Sequence, residues 1–282
     1  MRCILCDVVM EDFGRDFNGV QIYRCPECML VKAEPVQSAS ASEMYDDPEY
    51  FSGWGSDKDF EAESHDENLH QLTNQYLDFI SAHTKGETLL DVGTGHGLLP
   101  LMAKRRGYLA EGTDVSRHVC EHLPEKIGIP IHHGSIEEIP FDKTYDIITL
   151  IHVLEHTESP VSTIKRCREL LNDGGFVVVV VPNYRSLDTR IKDFLSKRSL
   201  KSRPFKHLAL GHHNYVFSLE NLELLGRLSG LETVYKGTGS ASWKQDPFNR
   251  LLARMNMATW CYVVYRKAAS DASARDGRAH AA

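Results

Sequence analysis

Hydrophobic and polar positions follow two different rhythms along this chain. Between residues 59 and 83, Leu69, Leu72, Tyr76, Leu77 and Ile80 recur at helical spacing, which predicts a helix with one buried stripe. From residue 87 onward, short apolar runs alternate with helical patterns. "ETLLDVG", "YLAEGTDVS", "IPIHHGS", "YDIITLIHV" and "FVVVVVPN" read as strands. "LLPLMAKRR", a stretch running through His122, and "VSTIKRCRELL" closed by "NDGG" read as the helices between them. The valine run in "FVVVVVPN" is apolar at every position, the pattern of a strand buried on both faces. "SLENLELLGRLSG" adds a helix, and "LETVYKG" and "WCYVVYRK" add two late strands. The alternation predicts an α/β fold: a Rossmann-like, doubly wound, mostly parallel sheet with right-handed crossovers.

Four regions follow from the pattern. Residues 1–36 form a small module, 37–84 a linker and helical cap, 85–268 the α/β domain, and 269–282 a disordered tail of small polar residues. The linker carries Tyr45, Tyr50, Phe51 and Trp54, aromatics that are expected to dock. An insertion at 183–212 holds Arg185, Arg190, Lys192, Lys197, Arg198, Lys201, Arg203 and Lys206. It reads either as a solvated helix face or as a lid over the acceptor pocket that attracts phosphate or carboxylate groups on the substrate.

Composition narrows the function classes. Of 282 residues, 32 are Lys or Arg and 39 Asp or Glu, giving a formal net charge of −7. That removes the global basic surface expected of a nucleic-acid binder. No apolar run approaches the roughly 20 residues that span a bilayer, and the N-terminus lacks a signal-peptide pattern, so a cytoplasmic protein without membrane partners is expected.

Four of the seven cysteines fall in the first module as Cys3-x2-Cys6 and Cys25-x2-Cys28. Two such knuckles point four thiolates at one ion, and the spacing predicts a structural zinc ribbon. A segment this short has little else to fold around.

The strongest chemical signal is "LLDVGTGHGLL", with Asp91, Gly93, Thr94, Gly95 and Gly97 between a strand and a helix. Leu98 stands where a nicotinamide-type loop has its third glycine, so a different ligand is implied. Glycines let a ligand approach the backbone, and Asp91 can accept a hydrogen bond from an ammonium group. Asp114 ends the next strand, where doubly wound sheets carry the acid that receives ribose hydroxyls.

"IHVLEH" raises a second question, because His152-x-x-Glu155-His156 is also the inverted zinc-protease spacing. Its place after a strand, rather than inside a long helix, argues against a protease.

At this point the chain resembles the class I S-adenosylmethionine-dependent methyltransferases over roughly residues 85–267, through "LLDVGTGHG", "GTDVS", "GSIEEIPF", "YDIITLIHVLEH" and "LNDGGFVVVVVPN". The resemblance implies that the methionine part of the cofactor lies along Gly93–Gly97 and that Asp114, with Val115, binds the ribose. It also implies that Ser135 and Ile136 flank the adenine, a serine replacing the usual acid, and that Ile151 closes the site. "YRCPECMLVKAEP" is similar to the zinc-ribbon leader of a methyltransferase subgroup of sugar, polysaccharide and secondary-metabolite pathways. "VLEH" resembles the cation-binding stretch of ubiquinone-type O-methyltransferases, with His152 in place of a glutamate. Three roles stay open for His152, Glu155 and His156: holding a divalent cation, supplying a general base, or organising the loop. His213, four residues before Phe217, is expected to face His152 across an acceptor pocket. The implied function is methylation of a small hydroxylated metabolite. The alternatives are RNA methylation through the ribbon and a non-catalytic ribbon interaction protein; oligomeric state is not legible.

Overall fold

The computed structural model describes residues 1–34, 67–198, 200–210, 213–241 and 246–269. The linker aromatics Tyr45, Tyr50, Phe51 and Trp54, His212, and the tail from residue 270 lie outside the described residues.

In chain order, β1 (Glu11–Arg15), β2 (Gln21–Arg24) and β3 (Val31–Ala33) form an antiparallel sheet. Helix α1 (Glu67–His83) follows and buries Tyr76, Leu77 and Ile80, the stripe that the periodicity predicts. Then β4 (Thr88–Val92), α2 (Leu98–Arg105), β5 (Leu109–Asp114), α3 (Arg117–Ile127), β6 (Ile131–His133) and β7 (Tyr145–Ile151) wind the first half of the main sheet. A short 3₁₀ turn at Leu154–His156 leads to α4 (Pro160–Leu170) and β8 (Leu171–Pro182). The insertion contributes α5 (Leu187–Lys197) and a 3₁₀ turn at Lys206–Leu208. The chain closes with β9 (Tyr215–Val216), α6 (Leu219–Leu228), β10 (Glu232–Gly239), α7 (Pro247–Arg254) and β11 (Trp260–Arg266).

The main sheet has the order β10-β11-β8-β7-β4-β5-β6. Strands β4 to β8 run parallel, and β11 is antiparallel to both its neighbours. Strand order reverses at β4, which pairs with β5 on one side and β7 on the other. Ligand crevices in doubly wound sheets open at that reversal, beyond the carboxyl ends of the strands. Val177–Val181 are completely buried, as their unbroken apolar run requires.

Three expectations shift. The "NDGG" stretch does not form a loop after α4; Leu171 pairs directly with Tyr145, and Asn172 donates to Asp146, so the strand starts at once. Helix α3 passes His122 and ends at Ile127, stopped by Gly128 in the left-handed region at φ 65°. The third shift concerns the ribbon, which is not an appendage. Strand β3 pairs with β9 far along the chain, Val31 with Val216 and Lys32 with Tyr215, so the N-terminal sheet has four strands and takes its last from the residues after the insertion. Ile22, Val31 and Ala33 share one core with Tyr184, Phe205, Leu208, Leu210 and Val216. Ribbon and insertion are thus one packed layer on the main sheet, and Asn221 of α6 ties them down by donating to the Cys28 carbonyl at 2.6 Å.

Candidate functional site

The site is assembled from the carboxyl ends of β4, β5 and β7. Asp91 is 4% exposed and accepts a hydrogen bond from Thr149 Oγ1 at 2.6 Å. Burial pushes its carboxyl up to about 7, against the opposing pull of the Thr149 bond. Gly93, Gly95 and Gly97 all have positive φ. Gly93 has a steric reason as well: a Cβ there would sit 2.6 Å from Val153 Cγ2. The glycine loop therefore packs directly on the segment between His152 and Glu155. Thr94 is buried and structural, its hydroxyl donating to the Asp91 carbonyl at 3.1 Å.

Asp114 is held by the backbone on both sides. Gly95 N donates to Oδ2 at 2.8 Å and Ser116 N to Oδ1 at 2.9 Å. These bonds fix the carboxylate at the rim of the loop, although burial shifts its pKa upward overall. Val115 beside it is half-buried. Ser135 gives its hydroxyl to Glu138 Oε2 at 3.0 Å, and the Ile136 side chain belongs to the main core. Glu138, which the sequence reading missed, thereby adds a carboxylate beside Ser135 at this corner of the crevice. Ile151, half-buried, ends β7.

Beyond β7 the chain turns sharply. His152 has φ 57°, a left-handed conformation that costs a non-glycine residue energy and clusters at functional sites. Its Nε2 pairs with the Tyr76 hydroxyl at 3.0 Å, and its ring lies 5.3 Å from that of Trp260. Its Nδ1 stands 3.5 Å from Glu155 Oε1, too long for a good hydrogen bond. Glu155 is 1% exposed, and neither carboxylate oxygen has a hydrogen-bond partner. Burial alone would raise its pKa, but His152 and the charge of His156 outweigh it and the net shift is downward. A buried carboxylate with neither oxygen hydrogen-bonded costs several kcal/mol unless a ligand completes it.

His213 approaches from the end of the insertion. Its ring meets His156 edge-on at 4.9 Å. Asn214 clamps the two segments together: its N donates to the Glu155 carbonyl at 2.8 Å and its Nδ2 to that of His156 at 2.7 Å. His213 Nδ1 lies 3.1 Å from the Leu208 carbonyl. A carbonyl only accepts, so Nδ1 carries the proton and Nε2 keeps its lone pair. Burial lowers the pKa of this imidazole and holds it neutral. The ligand atoms of Glu155, His156 and His213 all lie within 4.8 Å of one another. The expected cation set of His152, Glu155 and His156 is thereby regrouped: His213 joins the cluster, and His152 turns to Tyr76.

A sequence profile described as a methyltransferase domain matches residues 50–236. The chain is a class I S-adenosylmethionine-dependent methyltransferase. Among curated proteins, it is 31% identical over 176 residues to a ubiquinone biosynthesis O-methyltransferase of Aromatoleum aromaticum, covering 58% of this chain and 73% of the relative. The corresponding protein of Chromobacterium violaceum is 28% identical over 195 residues, covering 64% and 79%. Among solved structures, the magnesium protoporphyrin IX methyltransferase of Synechocystis, with bound S-adenosylhomocysteine, superposes with a TM-score of 0.54 at 13% identity, over 80% of this chain and 98% of that one. A methyltransferase of Archaeoglobus fulgidus gives 0.52 at 15% identity, over 70% and 94%. At such identities these structures support the fold alone.

The methyltransferase carries a second group of ligating atoms in its ribbon. The sulfurs of Cys3, Cys6, Cys25 and Cys28 lie within 4.8 Å of one another, with Cys3 and Cys28 3.6 Å apart. A zinc–thiolate tetrahedron has edges of about 3.8 Å, so the four residues fit a zinc ion. The two knuckles are built alike: Cys3 N donates to Val8 O and Cys25 N to Leu30 O. Asp7 and Met29, each following the second cysteine of its knuckle, both have positive φ. Among the described residues no helix is long and apolar enough to cross a membrane.

Sequence reasoning missed Tyr76, Thr149, Asn214 and Glu138. Each acts through a contact that spacing along the chain does not announce, except Glu138, three residues from Ser135.

Proposed function

We propose that this methyltransferase transfers the methyl group of S-adenosylmethionine to an oxygen of a small hydroxylated metabolite. The observation that carries the reading is Glu155, a buried carboxylate without hydrogen-bond partners among three histidines, touching the glycine loop through Val153. The O-methyltransferase names of the relatives agree with it.

The donor already carries an activated methyl group, so the protein's main task is alignment, which can supply about 7–11 kcal/mol. Asp114 and the loop amides orient the cofactor, and Asp91 receives its ammonium. An oxygen acceptor must also lose a proton. His213 is suited to take it at Nε2, because Nδ1–H is committed to Leu208 and burial keeps the ring neutral. His152, held by Tyr76, borders the same space.

One observation favours a variant of this chemistry. Glu155, His156 and His213 form a two-histidine, one-carboxylate group whose ligand atoms lie within 4.8 Å of one another. A divalent cation there would lower the pKa of a bound hydroxyl. In the ribbon, Cys3, Cys6, Cys25 and Cys28 hold a structural zinc. Chelation under conditions that leave the ribbon zinc in place separates the two variants: turnover is lost with a cation and unchanged with a histidine base.

RNA is a poor fit as acceptor. The ribbon carries Arg2, Arg15, Arg24 and Lys32 against Asp7, Glu11, Asp12, Asp16, Glu27 and Glu34. Incubation with S-adenosylmethionine and a panel of hydroxylated metabolites, read by product mass, tests the assignment. Methyl incorporation into RNA from an untreated extract would overturn it.

A further inference from the structure

Between the ribbon and the insertion lies a cavity of about 660 Å³. None of its lining residues belongs to the donor or acceptor groups described above. Four cations reach it: Arg24 from β2, Arg185, and Arg190 and Lys197 from α5. Two acids line it as well, Asp193 and Glu220. Both are already engaged. Glu220 pairs with Arg185 at 2.6 Å, and Asp193 pairs with His207 at 2.8 Å. Arg24, Arg190 and Lys197 are left with no ion pair among the described residues.

Two of these three converge on one ring. The Arg24 guanidinium carbon lies 4.5 Å and the Lys197 ammonium 3.8 Å from the centroid of Phe13. Cation–π contact stabilises each, but like charges this close repel unless an anion joins them. Burial and the neighbouring Arg24 lower the pKa of Lys197, against the opposing pull of Asp193. The Arg24 Nε is buried and donates to nothing, leaving a charged donor unsatisfied. The remaining walls mix the polar side chains of Asn183, Tyr184 and Asn256 with apolar ones that include Met29, Met255 and Met257.

We propose that this cavity binds a phosphate-bearing small molecule, with Arg24, Arg190 and Lys197 around the phosphate and an apolar body against Phe13 and the methionines. Two guanidinium groups and an ammonium match a phosphate's several oxygens and double charge better than they match one carboxylate. The site is independent of how the methyl group is transferred.

Phenyl phosphate is the probe, added to the full-length protein with labelled methionine methyl groups. Saturable shifts confined to Met29, Met255 and Met257 are expected, with benzoate binding about tenfold more weakly. Arg190→Gln and Lys197→Gln should each weaken binding about tenfold, the loss of one charge-assisted bond. Both residues are on the exposed side of α5, so an unchanged melting temperature and unchanged S-adenosylmethionine affinity should accompany the loss. Non-saturating shifts, unchanged affinity in both variants, or benzoate binding as tightly as phenyl phosphate would overturn the proposal.

Discussion

The donor and acceptor halves of the crevice are built on different plans. On the donor side, Gly95 reaches Asp114 across a sequence separation of 19. Both belong to one strand-turn-helix-strand unit that folds its own site. On the other side, Asn214 holds the Glu155–His156 turn across separations of 58 to 59, and Asn221 holds the Cys28 knuckle across 193. His213, the proposed base, stands two residues before β9, the strand that completes the ribbon sheet. Damage to the ribbon should therefore travel to the acceptor side and leave the donor side standing.

The largest effect should come from the ribbon. Cys25→Ser with Cys28→Ser removes half of the proposed zinc ligands, and structural zinc accounts for about 10–16 kcal/mol of folding energy in zinc-finger peptides. Turnover should disappear while calorimetry still finds S-adenosylmethionine bound with affinity within about twofold of wild type. Loss of cofactor binding in this variant would break the division between the halves.

Next in size is His213→Ala, expected to lower kcat by roughly 100- to 10,000-fold with cofactor affinity unchanged. The pH dependence sharpens this. A pKa lowered by burial keeps the base neutral into mildly acidic solution, so kcat should fall only below the ordinary histidine value near 6.5. The same shift contributes stability that is present above the unfolded-state value and is lost as pH falls through the folded one. A rate that already halves well above that pH would exclude His213 as the base.

Asp114→Ala should weaken cofactor binding by roughly 10- to 100-fold, through the ribose bonds and the loosened Gly95 amide. Calorimetry showing no change would remove Asp114 from the ribose site.

The smallest effect belongs to Asp91. Its carboxyl titrates at about 7 in the free protein because burial disfavours the charge. A bound ammonium favours the ionised form, so binding should release a proton near neutrality. Affinity should rise as pH approaches 7 and flatten above it, with a slope of at most about tenfold per pH unit below. Calorimetry in buffers of different ionisation enthalpy reads the proton directly; the absence of release at pH 6.5 would show that Asp91 does not meet the ammonium.

What was legible in the sequence follows the same division. The succession of strands and helices, the glycine loop and the place of Asp114 at a strand end could be read because each depends on neighbours a few residues away. The cysteine knuckles could be read for the same reason. The union of ribbon and insertion could not, because β9 is two residues long and pairs with a strand near the start of the chain, Tyr215 opposite Lys32. The role of Tyr76 was hidden too. Its place in the helical stripe marks it as core, and only the fold brings its hydroxyl to His152. The cation set shifted from His152 to His213 because φ 57° at His152 aims that side chain toward α1.

The central claim is that the cluster after β7 prepares an oxygen acceptor for a methyl group held by the glycine loop. Its most direct test is product analysis with isotopically labelled S-adenosylmethionine and hydroxylated small molecules, run in parallel on wild type and Glu155→Gln. The expected result is a labelled O-methyl product from wild type, little or none from the variant, and equal cofactor binding by both. Equal product from both proteins, or label found on nitrogen, carbon or RNA instead of a small-molecule oxygen, would contradict it.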